Sequence, residues 1–422
     1  MTATAVPASA IAFAKPPDPA ALAAREFKAL GNGHYQFTLL ALGLQFDVDR
    51  LRRDRHELIG ELTVLCDWPG ARRVDGSLSV ADFNLSSARA RTDRARLLAD
   101  RAESNGFDWT GLLEEFCQRV LAAERAGDPA VLLHTLDRPT EAGQLTVEGI
   151  TLLRDHPVIL FGDGGAAKSY LALYLAGQLS RSGVRVLFAD WELCGDDHRD
   201  RLERLFGANM PHVFYARCDR PIVAEADRLA RLVRQDSINY VVCDSVAFAC
   251  DGPPEAAEVA SAYFRAMRSI GVGSLHLAHI TKGENGDQRP FGSTFWHNGA
   301  RATWFVKLAA PVSTDGQSIV IGLFNRKANL GPLRPALGFQ IAFDGDRTTF
   351  TRVNLADVPD LAAGLPVRTR IASALKRGPL TVAALVEEIE APADTIRKTI
   401  KRNGSLFVCL EGGRIGLAER RF

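Results

Sequence analysis

Between residues 136 and 358, short apolar runs alternate with longer stretches whose apolar positions recur every three or four residues. The runs at 158–162, 184–190, 212–216, 238–244 and 274–280 read as buried strands, and 168–181, 196–206, 223–236 and 255–269 as helices. Repeated β-α units predict an α/β fold: a mainly parallel sheet with helices on both faces and ligands at the carboxyl ends of its strands. Strand-rich segments at 302–308, 318–324, 338–343 and 348–353 predict an antiparallel extension of that sheet.

The flanks carry different patterns. Residues 1–20 are rich in Ala and Pro and read as a disordered leader rather than a signal peptide. Residues 21–135 read as an α+β accessory domain for adaptor or interaction work. A strand pair or one long bent strand is expected at 34–48, a strand at 61–66, and helices at 85–104 and 107–127, the second with Leu112, Leu113, Phe116, Val120 and Leu121 on one face. A linker at 359–366 separates the core, 136–358, from a third unit, 367–422. There, helices at 367–377, 382–389 and 392–402 precede a hairpin turning at Gly412-Gly413, an order that resembles a winged helix-turn-helix.

Bulk properties narrow the classes. Fifty-one Lys and Arg balance 50 Asp and Glu, so no global field announces nucleic acid and any basic surface must be local. The seven cysteines are scattered without a C-x-x-C, which suggests neither a zinc site nor a disulfide framework and reads as reduced cytosolic thiols. No run of about 18 apolar residues suggests a membrane span.

The chemistry concentrates in 158–182, which reads as strand, glycine-rich turn, Lys-Ser and helix: the order of a phosphate-binding P-loop. Gly162, Asp163, Gly164, Gly165, Ala166, Ala167, Lys168 and Ser169 would wrap the phosphates with backbone N–H groups, at the positive end of the helix that follows. Lys168 adds a charge for the outer phosphates, and Ser169 a hydroxyl for Mg²⁺. Ala167 stands where the pattern G-x-x-x-x-G-K-[ST] has its last glycine, and costs about 1 kcal/mol if its φ is positive. Asp244 ends an apolar strand where a carboxylate would hold Mg²⁺ through water, although it could instead cap a turn. Glu192 lies just past another strand, placed to polarise an attacking water. Asp190 is a rival for that task, and either acid could instead cap the following helix. His279 would stand near the γ-phosphate. His276 and His279, three apart on a strand, face opposite sides, so a zinc pair is weakly supported.

At this point the chain resembles the RecA-type ATPases, in particular the RepA-like hexameric replicative helicases of plasmids and phages. The likeness is carried by GDGGAAKS at 162–169, DWE at 190–192, VVCDS at 241–245 and HITKGENGDQRPFGSTFWHNGARATW at 279–304. It spans about residues 140–345. It implies ATP and Mg²⁺ as cofactors, Lys168 and Ser169 on phosphate and metal, Glu192 as base, Asp244 as the second metal group and His279 as γ-phosphate sensor. Residues 291–293 would lie in a loop facing a central channel. Arg326 and Lys327, at the end of an apolar strand, would form a basic finger reaching the neighbouring subunit's nucleotide, so that a ring-shaped homo-oligomer completes the site; a solvated turn is the other reading of this pair.

In the third unit, Ile396 and Ile400 should face the core, leaving Arg397, Lys398, Lys401 and Arg402 on a basic face suited to DNA phosphates. Residues 366–422 hold eleven Lys and Arg against six Asp and Glu. A protein-binding winged helix is the competing reading. Together the features predict an ATP-hydrolysing, oligomeric, DNA-associated cytoplasmic motor for replication or recombination, with single-stranded DNA in a channel and duplex at the C-terminal unit. An ATP-gated DNA-binding regulator with little turnover is the alternative. A small-molecule P-loop kinase is a third reading, disfavoured because no Arg-rich lid or second pocket is evident.

Overall fold

The structure, a computed structural model, describes residues 25–104, 106–127, 129–137, 143–162, 164–280, 294–309 and 317–418. Asp163 and residues 291–293 of the expected site lie outside the described residues. The chain divides into two compact units, Met1–Arg138 and Pro139–Phe422.

The first unit is an antiparallel meander, β1 (Arg25–Gly31), β2 (His34–Leu39), β3 (Leu44–Asp54), β4 (Glu57–Cys66) and β5 (Ser77–Asn84), paired in chain order. The expected segment at 34–48 is a strand pair, because Gly43 takes a left-handed conformation that closes the turn. Alternate residues of β2 to β4 point inward, and Phe37, Phe46 and Leu62 are buried. Helices α1 (Ala88–Arg101) and α2 (Trp109–Ala126) close over that face with Leu98, Leu113 and Phe116. Each helix starts on a side-chain cap: Ser87 accepts the N–H of Ala90, and Asp108 that of Gly111.

The second unit opens with a hairpin missed in the sequence reading, β6 (Gln144–Val147) and β7 (Ile150–Leu153). The chain then alternates: β8 (Pro157–Gly162), α3 (Lys168–Arg181), β9 (Val186–Asp190), α4 (Gly195–Phe206), β10 (Val213–Arg217), α5 (Ile222–Gln235), β11 (Tyr240–Asp244), the short α6 (Val246–Ala249), α7 (Ala257–Ile270) and β12 (Gly273–Ala278). After α8 (Thr294–Gly299) come β13 (Ala302–Leu308), β14 (Ser318–Ala328), β15 (Leu337–Asp344), β16 (Arg347–Val353) and α9 (Pro359–Ala362). They form one nine-stranded sheet, in the order β10-β9-β11-β12-β8-β13-β14-β15-β16. The first six run parallel and the last three antiparallel, the extension expected from the sequence. Separate apolar clusters cover the two faces. The inner parallel strands β8, β9, β11 and β12 are therefore buried almost throughout, which is why they read as unbroken apolar runs, while β10 at the sheet edge is only partly covered.

Register decides what gathers at the carboxyl edge. Asp244 pairs with Asp190, Ala278 with Phe161, and Val306 with Gly162. Gly162 is required there, since a Cβ on it would lie 2.4 Å from the Val306 carbonyl oxygen.

The chain ends in α10 (Val367–Ala374), β17 (Leu380–Thr381), α11 (Val382–Ile389), α12 (Ala393–Arg402), β18 (Phe407–Leu410) and β19 (Arg414–Leu417), with β17 and β18 flanking β19. Ile371, Leu385, Ile396, Ile400 and Phe407 share its core. Among the described residues no helix is long and apolar enough to cross a membrane.

Candidate nucleotide site

A cavity of about 450 Å³ opens over the carboxyl edge, where α3 begins. Gly164, Gly165, Lys168 and Ser169 line it, with Glu192, Asp244 and His279, so register and the glycine turn bring together residues spread over more than a hundred positions. Gly165 has φ +76° and Ala167 φ +54°. The second value settles the question raised by the missing glycine: Ala167 is left-handed and carries the strain. Ala166, between them, is buried beneath the loop.

Lys168 is buried, and its Nζ donates to the carbonyl of Gly162 at 3.0 Å, folding the ammonium back over the loop. The Ser169 hydroxyl hydrogen-bonds to Asp244. Burial pushes the Asp244 carboxyl up to about 6, against the pull of Ser169, and the nearby Glu192 charge adds to the rise. Asp244 Oδ2 is buried without a hydrogen-bond partner among the described residues. A buried carboxylate with one orphaned oxygen, beside a hydroxyl and a phosphate-binding loop, fits a hard divalent cation such as Mg²⁺. Among the described residues no group of three His, Cys, Asp or Glu is placed to hold a metal ion by itself.

Glu192 sits in the loop between β9 and α4. Ser245, the residue after Asp244, donates its hydroxyl to the Glu192 carboxylate. Asp190 is fully buried and does not line the cavity. His279 is exposed at the mouth, and desolvation together with the Lys168 charge lowers its pKa. His276 is buried on the opposite side of β12, between the hydroxyls of Tyr263 and Ser274, each at 2.8 Å. The two histidines therefore cannot share an ion.

Arg326 and Lys327 part company. Both lie within β14 rather than beyond its end, because the strand runs on to Ala328. Arg326 is exposed, its guanidinium about 5.5 Å from the rings of Phe305 and Phe324. Lys327 Nζ donates to the carbonyls of His297, Asn298 and Ala300 at 2.7–3.1 Å, filling the acceptors at the end of α8. Within this chain Lys327 is committed to holding α8, and only Arg326 projects. On α12, Ile396 and Ile400 are buried, while Arg397, Lys398, Lys401 and Arg402 are exposed on one continuous surface.

Four polar or aromatic lining residues escaped the sequence reading. Ser245 and Tyr170 directly follow Asp244 and Ser169, and that adjacency was the available signal. Arg201, 4.7 Å from the Tyr170 ring, and Phe343, in edge contact with Tyr170 at 5.4 Å, had none, since only the fold brings α4 and β15 to α3.

Residues 122–285 match a family described as an AAA domain. No curated protein matches this chain. Two solved structures resemble it. One is an ATPase domain, 14% identical, covering 48% of this chain and 86% of that one at a TM-score of 0.38. The other is a KaiC-like protein from the hyperthermophilic archaeon Pyrococcus horikoshii OT3, 13% identical, covering 47% and 91% at a TM-score of 0.37. With its mainly parallel sheet, its Gly-rich loop opening into α3 and its paired strand-terminal acids, the middle of this chain is similar to a RecA-type P-loop ATPase domain.

Proposed function

We propose that this protein is an ATP-driven, oligomeric, DNA-associated motor acting in replication or recombination. The observation that carries the reading is the convergence of Lys168, Ser169, Asp244, Glu192 and His279 on one cavity, where a buried Asp244 oxygen has no hydrogen-bond partner among the described residues. Backbone N–H groups of 164–169 and the Lys168 ammonium would seat the phosphates. Ser169 and Asp244 would hold Mg²⁺, which when bound neutralises phosphate charge. Glu192 would orient and deprotonate the attacking water, and His279 would hydrogen-bond the γ-phosphate. Arg326 is the group free to reach a neighbouring subunit's nucleotide, so the reading includes a ring in which each site is completed by the next copy. Single-stranded DNA would be held in the channel of that ring. The C-terminal residues read as a winged helix-turn-helix whose α12 sets Arg397, Lys398, Lys401 and Arg402 against duplex phosphates. The protein would work in the cytoplasm.

One observation favours a second reading. The strained Ala167 disfavours a tight phosphate cradle, which suits an ATP-gated DNA-binding regulator with slow turnover. Steady-state ATPase assays of the wild type and Lys168→Ala, with and without single-stranded DNA, separate the two. DNA stimulation of several-fold, abolished by Lys168→Ala, is the expected result. ATP binding with negligible turnover in every condition would leave the regulator.

A further inference from the structure

The loop 191–194 carries Glu192 and belongs to no helix or strand, yet little of its backbone is free. Trp191 N–H donates to the Asp244 carbonyl at 2.7 Å, tying the loop to β11. The N–H groups of Glu192 and Leu193 both donate to one oxygen of Asp190, Oδ1, at 2.9 and 3.1 Å. The carbonyl of Leu193 accepts from Arg217.

The other Asp190 oxygen, Oδ2, faces a second set of groups. The Tyr215 hydroxyl donates to it at 3.0 Å, His198 Nε2 lies 3.4 Å away and the Arg217 guanidinium 3.5 Å. Tyr215 and Arg217 come from β10 and His198 from α4, so one carboxylate ties the sheet edge, the helix and the loop together. Burial alone would raise the Asp190 pKa, but His198 and the N–H groups of Leu193 and Glu192 outweigh it and hold the carboxyl at about 2. Its side chain has no exposed surface. It can reach neither water nor phosphate, which removes it as a rival base.

We propose that Asp190 is the positioning residue for Glu192: its buried carboxylate fixes the loop from which Glu192 faces the phosphate cavity. The proposal rests on the reading of Glu192 as the base. It commits Asp190 to the rate of the chemical step and not to nucleotide affinity, because among the described residues none of its contacts is with the phosphate loop. An error of about 1 Å in placing a catalytic group costs on the order of 100-fold in rate.

The test uses the full chain and four variants: Asp190→Ala, Asp190→Asn, Tyr215→Phe and Glu192→Gln. ATP turnover is measured beside the Kd for a fluorescent ADP analogue. Asp190→Ala should lower kcat by about 10- to 100-fold with the Kd within about twofold. Asp190→Asn keeps an oxygen acceptor for the two loop N–H groups, and should recover kcat to within about fivefold of wild type. Tyr215→Phe, a small change at an edge strand, should lower kcat about two- to fivefold at unchanged Kd, and with Asp190→Asn it carries the test if the alanine variant does not fold. Wild-type turnover in Asp190→Ala, no recovery in Asp190→Asn, or loss of Kd in step with kcat would each overturn the proposal. Glu192→Gln should abolish turnover. Full activity there would instead overturn the base assignment itself, a failure distinct from any of the Asp190 outcomes.

Discussion

Replacing Ala167 by glycine should improve this ATPase domain, against the general rule that mutations at a nucleotide loop weaken it. Ala167 is left-handed, with φ +54° and ψ +29°, at the entrance to α3. A Cβ in that region costs roughly 1–2 kcal/mol, from its approach to the carbonyl oxygen that follows. Two smaller effects oppose the gain. Glycine adds unfolded-state entropy worth about 0.4–1 kcal/mol, and the lost methyl is partly buried against the apolar cluster around α3, a fraction of about 0.8 kcal/mol. The net is a gain of about 0.5 kcal/mol, with about 1 kcal/mol as the upper end. If the loop keeps this shape without nucleotide, the gain shows as stability, and the melting midpoint rises by roughly 1–3 °C. If the loop adopts it only around phosphate, the gain shows as affinity, and the Kd for a fluorescent ATP analogue falls about two- to fivefold. Thermal melts with and without nucleotide, beside the titration, separate the two routes. A glycine variant that both melts lower and binds more weakly would refute the reasoning, because it would mean that the alanine methyl outweighs its strain.

Two further predictions test other groups. Asp244 has its pKa raised in the fold to about 6 from an ordinary 3.8, so the nucleotide-free domain loses stability as pH rises from about 4 through 6, by up to ~3 kcal/mol. The cation needs the ionised form, so the Mg²⁺-dependent part of ADP affinity should weaken as pH falls below about 6, and Asp244→Asn should abolish that dependence; a wild-type increment that stays flat between pH 5 and 7.5 would refute it. Lys327→Ala strips three carbonyls of their donor and should lower stability by about 1–3 kcal/mol in urea melts, whereas Arg326→Ala should leave stability within about 0.5 kcal/mol and cut ATPase at least tenfold. The opposite pattern would return the finger to Lys327.

The sequence by itself determined the alternating β-α core, because strands buried on both faces must be apolar throughout and their covering helices must be amphipathic. It also located Lys168, Ser169, Asp244 and Glu192, since phosphate-binding loops and strand-terminal acids are short local patterns. It left three things to the tertiary structure. Hairpin β6–β7 and strands β1 and β5 are short or exposed segments whose pairing depends on partners elsewhere in the chain. Asp190, two residues before Glu192, stayed a rival to it until β9 buried the first and the loop turned the second toward the cavity. Arg326 and Lys327 were one basic pair until the pleat of β14 sent neighbouring side chains to opposite faces, one to solvent and one to the carbonyls of α8. Local chemistry selects which residue types are competent. Which of two competent neighbours meets the substrate is a matter of direction, and direction is fixed only when strand register and packing are complete.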